Sequence, residues 1–123
     1  MPNERQRLGK KGEDIAVRVL REKGRRILER NYVTPLGEID IIAKDGRTLV
    51  FVEVKTRRTL RYGNPKLAVT RKKQVKMSMA ALFYLKKMKQ TRQKARFDVV
   101  AIQFGGGAEQ VEIVENAFDL AYG

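Results

Sequence analysis

The apolar positions change period several times along the chain, and each change marks a predicted element. From about Gln6 to Lys23, Leu8, Ile15, Ala16, Val19 and Leu20 recur at three- and four-residue spacing, which predicts an amphipathic helix stopped at Gly24. Gly9 and Gly12 weaken its first turns or admit a close neighbour. Ile27 to Tyr32 is short and mixed and reads as a first strand, followed by the turn Thr34-Pro35-Leu36-Gly37. Glu38 to Ala43 and Thr48 to Thr56 are two further strands joined at Asp45-Gly46, a hairpin signal. Arg58 to Gly63 is a basic loop. A second helix starts either at Asn64-Pro65 or at Thr70 and runs to about Lys87, with Val75, Met79, Leu82 and Phe83 as its stripe and Ala80 as a point of close packing. After a charged connector, Lys86 to Lys94, strands are predicted at Arg96 to Phe104 and at Gln110 to Glu115. Gly105-Gly106-Gly107 separates them, and a short tail from Asn116 to Tyr122 follows. The order of helix, strand, hairpin, helix, strand, strand predicts an α/β sheet with helices packed on it, in one domain spanning residues 1–123.

The central hairpin breaks its own pattern. Side chains alternate between faces along a strand. Ile39, Ile41, Ala43, Val50, Val52 and Val54 give one uniformly apolar face, while Glu38, Asp40, Glu53 and Lys55 share the other with Ile42, Leu49 and Phe51. A turn centred on Asp45-Gly46 sets Lys44 opposite Arg47, Asp40 opposite Phe51 and Glu38 opposite Glu53. Asp40 is then the diagonal neighbour of Glu53, at about 7–8 Å between backbones. A one-residue slip would separate these groups. Charges on a strand that should be covered are costly unless they are paired or hold a cation.

Composition narrows the chemistry. The 123 residues contain 27 Lys+Arg against 14 Asp+Glu, a net charge of +13, which favours a polyanionic partner, most simply nucleic acid. Cysteine and histidine are both absent. Disulfides, thiolate nucleophiles, histidine bases and the usual zinc sites are therefore excluded, and any metal rests on oxygen donors, which suits Mg²⁺ or Mn²⁺. No apolar stretch approaches the roughly 20 residues of a bilayer span, so no membrane partner is expected. Met1-Pro2-Asn3-Glu4-Arg5 leads into no apolar segment, so a cytoplasmic location is the expectation.

Hydrolysis of a phosphodiester requires an activated water and a counter-charge at the phosphoryl oxygens. Asp40 and Glu53 are the natural ligands of a divalent ion, with Lys55 placed to orient the water or offset charge on the phosphate. Glu13, adjacent to Ala16 on the first helix, is a candidate third carboxylate, and Glu38 is an auxiliary. Arg57, Arg58, Arg61, Lys66, Arg71, Lys72, Lys73 and Lys76 are candidates for tracking a phosphate backbone, and Gln74 for reaching the cleft. Tyr62 fits either packing or stacking on a base. Plainer readings stand beside these. Glu53 with Lys55 also fits an exposed cross-strand pair, Asp40 a turn cap, Glu13 and Glu38 solvated surface groups, Asp98 a structural partner of Lys or Arg, and the basic residues a solvated helix face.

The motifs also match a family. Gly12-Glu13-x-x-Ala16, Asn31-Tyr32, Gly37-Glu38-Ile39-Asp40-Ile41-Ile42-Ala43, Phe51-Val52-Glu53-Val54-Lys55-Thr56-Arg57 and Arg96-Phe97-Asp98-Val99-Val100-Ala101 resemble the YraN family of small predicted endonucleases, within the PD-(D/E)XK nuclease superfamily. The resemblance covers nearly the whole chain. It implies a restriction-endonuclease-like fold, with a mixed central sheet flanked by helices, and a metal centre at Glu13, Asp40 and Glu53 with Lys55 as the catalytic lysine. Ile39 stands where the superfamily's name places proline. The more distant likeness to archaeal Holliday-junction resolvases makes a homodimer, and branched DNA, expectations by analogy alone. The leading expectation is a Mg²⁺- or Mn²⁺-dependent endonuclease acting on DNA. The alternatives are a non-catalytic nucleic-acid-binding protein with an idle nuclease centre, and a structural protein that docks through its basic face.

Overall fold

A computed structural model describes residues 3–58, 69–105 and 107–121. Helix α1 spans Glu4–Glu22, strand β1 Arg26–Thr34, β2 Gly37–Asp45 and β3 Thr48–Arg57. Helix α2 spans Arg71–Lys87, β4 Ala95–Gln103 and β5 Gln110–Phe118. The five strands form one sheet in the order β1-β2-β3-β4-β5, antiparallel except for the parallel β3–β4 pair that α2 connects. This is the expected mixed α/β sheet, compatible with a restriction-endonuclease-like fold.

Each helix closes one face. Ile15, Ala16, Val17 and Leu20 of α1 pack on Ile41, Ala43, Val50, Val52, Val100 and Ile102. Met77, Ala80, Ala81, Tyr84 and Leu85 of α2 pack on Ile42, Leu49, Phe51, Phe97 and Val99. The ring of Tyr84 meets those of Tyr32 and Phe51 edge-on. Both faces of the hairpin are therefore covered, and the apolar end of its mixed face lies under α2. Ile39 is the exception to strict alternation. It joins the α2-side core rather than the α1 side with Ile41, at the point where β2 parts from β3.

The helix ends follow from local chemistry. Asn3 caps α1 through a reciprocal bond with Gln6, so the helix starts two residues earlier than its stripe predicts. It stops at Gly24 as expected, with Arg25 N–H donating to the Leu20 carbonyl and Gly24 N–H to that of Arg21. The side chain of Thr70 accepts from Lys73 N–H and caps α2, which decides between the two predicted starts; Asn64 and Pro65, like Tyr62, lie outside the described residues. Gly12 of α1 sits directly against the Thr56 side chain, a close approach only glycine permits.

Two strand expectations need correction. The β2–β3 register pairs Asp45 with Thr48, Lys44 with Leu49 and Ile42 with Phe51, two residues from the predicted alignment. Gly46, at φ 59°, occupies the first position of the two-residue loop, and Arg47 the second. The last strand does not end at Glu115. Asn116 adopts φ 51° in a bulge, its N–H donates to Asp98 Oδ1 at 2.9 Å, and the strand resumes so that Phe118 stacks on Phe97 at 4.7 Å.

The approach of β2 to α2 is tight at Gly37, where an added Cβ would lie 2.6 Å from the Lys76 carbonyl oxygen. A backbone atom cannot swing away, so Gly37→Ala is expected to lose about 1–3 kcal/mol of stability by displacing α2. Urea unfolding of the variant checks this, and an unchanged midpoint would show that the helix yields freely.

Candidate acidic site at the carboxyl end of β3

The N-termini of α1 and α2 and the carboxyl end of β3 meet at one rim of the sheet, next to the parallel pair. Ligands of open α/β sheets gather at such carboxyl ends. The last ladder pair of β2 and β3 is Ile41 with Val52. Beyond it the strands part, and the Asp40 carboxylate fills the gap, its Oδ2 accepting from Val54 N–H at 2.8 Å. Continuing the observed register sets Asp40 across from Glu53 rather than diagonal to it, closer than the sequence predicts.

Glu53 is the unusual group. It is only 4 % exposed, and its Oε2 has no hydrogen-bond partner. Burial, then hydrogen bonding to the adjacent Asp40 carboxyl and the charge that group carries, push its acid up to about 8; Lys73 and Lys55 oppose this. The two acids are thus close neighbours on facing strands. Lys73 Nζ, from the first turn of α2, stands 3.6 Å from Glu53 Oε2. Lys55 is half-buried two residues further along β3. A buried glutamate beside a half-buried aspartate, with two ammonium groups close by, fits a hard divalent cation.

The remaining candidates are distributed differently. Glu13 is not drawn into the pair: its Oε1 accepts from Arg30 Nη2 at 3.1 Å and from Asn31 Nδ2 at 2.9 Å. Among the described residues no group of three or more carboxylates could hold a metal ion. Glu38 is exposed at the start of β2. Gln74 donates to the Val69 carbonyl at 3.0 Å and so braces the start of α2. Asp98 is fully buried, takes Arg96 Nε at 3.0 Å, and lies with Asp45 in a salt-bridged group, which is the structural role weighed for it. Of the basic residues, Arg58 pairs with Glu4, Arg57 and Arg71 are also engaged, Lys72 and Lys76 are exposed, and Arg61 and Lys66 lie outside the described residues.

One contributor, Arg30, is absent from the sequence expectation, and another, Lys73, takes a different partner. Arg30 clamps Glu13 and Asp14, and a polar Arg30-Asn31 pair in mid-strand was the available signal. Lys73 was expected to meet a backbone phosphate, whereas it sits against Glu53.

Comparison with known proteins bears on the whole chain. Residues 12–102 match the model of a family described as "Uncharacterised protein family UPF0102". A UPF0102 protein of Desulfosudis oleivorans is 55% identical over 119 residues, covering 97% of this chain and 95% of its own. One from Geobacter metallireducens is 54% identical over 115 residues, 94% of each chain, and one from Syntrophotalea carbinolica is 46% identical over 120 residues, 98% of each. Among the described residues no helix is long and apolar enough to cross a membrane. With a family model covering most of its length and relatives matched nearly end to end, the chain belongs to the UPF0102 family, the family its motifs resemble under the name YraN.

Proposed function

We propose that this protein is a Mg²⁺- or Mn²⁺-dependent nuclease of the PD-(D/E)XK kind that hydrolyses phosphodiester bonds in DNA in the cytoplasm. The observation that carries the reading is the buried Oε2 of Glu53, which accepts no hydrogen bond and has only the Lys73 ammonium at ion-pair distance, beside the Asp40 carboxyl. Two carboxyls at close range do not both ionise without a counter-charge, and a fold that buries such a pair at a cleft has a use for a cation there.

Asp40 and Glu53 are the proposed ligands. Asp40 is held in position by Val54 N–H, and Lys73 steers the Glu53 carboxylate. A bound divalent ion supplies a water of lowered pKa and a counter-charge for the phosphate. Lys55, projecting from the same strand, stabilises charge on the phosphoryl oxygens. Glu13 stays outside this set while Arg30 and Asn31 hold it, and it anchors α1 to β1. The net charge of +13 draws the polyanion in, and exposed Lys72 and Lys76 flank the rim. Among the described residues no element offers base readout, so backbone and shape govern recognition.

The clamp on Glu13 favours one second reading: a nucleic-acid-binding protein whose centre is idle. A substrate panel of plasmid, single-stranded and junction DNA separates the two. Cleavage is expected with Mg²⁺ or Mn²⁺, absent with chelator, and lost in Asp40→Asn and Lys55→Ala. Activity that survives both substitutions belongs to a contaminant. DNA binding without cleavage, and without heat on Mn²⁺ titration, establishes the idle centre.

A further inference from the structure

The β1–β2 hairpin ends in aliphatic groups that the core does not use. Val33 is 69 % exposed and Leu36 46 %, and Pro35 between them is exposed as well. The tip is nevertheless rigidly built. Thr34 Oγ1 donates to the Gly37 carbonyl at 2.8 Å and accepts from Leu36 N–H at 3.1 Å and Gly37 N–H at 3.0 Å. The ring of Pro35 fixes one dihedral of the turn, and Gly37 is seated on the backbone of Lys76. Apolar groups braced in water in this way point to an occupant.

The surroundings identify its chemistry. Residues Val33 to Glu38 form one wall of a cleft of about 360 Å³, and Lys73 and Lys76 form the other. Lys73 is the same residue whose Nζ stands 3.6 Å from Glu53. The apolar tip and the ammonium groups therefore share one cleft, and Lys73 links it to the buried Glu53 beside it. A ligand that answers to both carries phosphates beside flat apolar faces, as a nucleic acid does where its bases are accessible. Inserting aliphatic side chains into an intact stack has to overcome base stacking, whereas at a nick, flap or branch point the stack is already interrupted.

We propose that Val33 and Leu36 form a wedge that enters the base stack at a discontinuity in duplex DNA and so directs the adjacent acidic site to interrupted duplexes. The proposal deepens the nuclease reading and rests on its assignment of DNA to this cleft. Its test is independent of turnover. The full chain, carrying Asp40→Asn and free of divalent metal, is mixed with a nicked duplex that has 2-aminopurine beside the nick. A rise in fluorescence reports unstacking. The same protein with Val33→Thr and Leu36→Ser added, both at exposed positions, is expected to bind with an unchanged salt dependence and to lose the rise. In the Asp40-intact background, the pair is expected to lower the preference for nicked over single-stranded substrate by about tenfold.

Unstacking that persists in the wedge variant overturns the proposal, as does absence of DNA binding or of any rise with the Asp40→Asn protein. A fall in molecular mass from dimer to monomer on introducing the wedge variant also overturns it, and assigns the tip to a second copy of the chain. Unstacking without cleavage in any metal leaves the wedge standing and removes the nuclease. Cleavage with unaltered preference in the wedge variant does the reverse.

Discussion

Glu53→Gln should make the metal-free protein more stable above about pH 8 while abolishing its response to Mn²⁺ and its cleavage of DNA. The sign follows from the raised acid. Below the ordinary value of 4.5 the carboxyl is protonated in folded and unfolded chains alike, and its contribution to stability is fully present. Between 4.5 and about 8 the unfolded chain ionises while the folded one keeps the proton, so stability falls by about 1.4 kcal/mol per pH unit from this group. Above about 8 the loss is complete, because the fold then holds a buried carboxylate against Asp40. Glutamine keeps the shape and has no proton to release. The variant is therefore expected to melt at least about 4 °C above the parent at high pH, and to match it near pH 5. Millimolar Mn²⁺ should raise the melting point of the parent alone, by mass action, and cleavage should fall by more than about 100-fold. Melting curves at three pH values with and without Mn²⁺ decide the matter. A variant less stable at every pH would make Glu53 a structural partner of Lys73 and leave the metal reading without its main support.

The faces of the central hairpin were legible because alternation is robust to an even error. The turn chemistry misplaced the register by two residues, since Gly46 takes the first loop position and leaves Asp45 paired to Thr48. A shift of two keeps the side chains of the paired residues on their faces, and only Ile39, beyond the last β2–β3 pair, changes sides; a shift of one would have sent Asp40 and Glu53 to opposite sides. The same error hid how close the acids are. What the sequence did not show depends on packing between distant segments. Lys73 meets Glu53 because α2 is seated on Gly37 through the Lys76 backbone, a contact with no periodic signature. Glu13 was legible as a helix acid near the site but not as a clamped one. The clamp needs Asn31 at φ 52°, a backbone state that a sequence reading of β1 as an ordinary strand does not contain. The continuation of β5 past Asn116 likewise rests on a side chain of another strand, Asp98, satisfying the bulge. Local pattern thus located the carboxylates, and tertiary contacts decide which cations attend them.

That division of cations gives a prediction that separates the two lysines. Both lower the Glu53 acid, Lys73 more than Lys55, but only Lys55 rises from the strand that carries the acid. Mn²⁺ affinity is expected to climb about tenfold per pH unit while Glu53 must give up a proton, and to level off above about 8. Lys73→Met removes the nearer positive charge, so the levelling point should move to higher pH. Cleavage measured above that point, at saturating metal, should be largely retained. Lys55→Met should move the levelling point less, yet reduce cleavage at saturating metal by about 10²–10³-fold, the loss usual for one donor that meets charge developing in the transition state. Isothermal titration across pH and single-turnover cleavage of the same samples give both quantities. An equal loss of saturated rate in both variants would put Lys73 on the phosphate as well, and its ion pair with Glu53 would then describe only the metal-free state. A levelling point that neither substitution moves would mean that the charge beside Glu53 is set by Asp40 alone. In that case the two lysines serve the polyanion and not the acid pair.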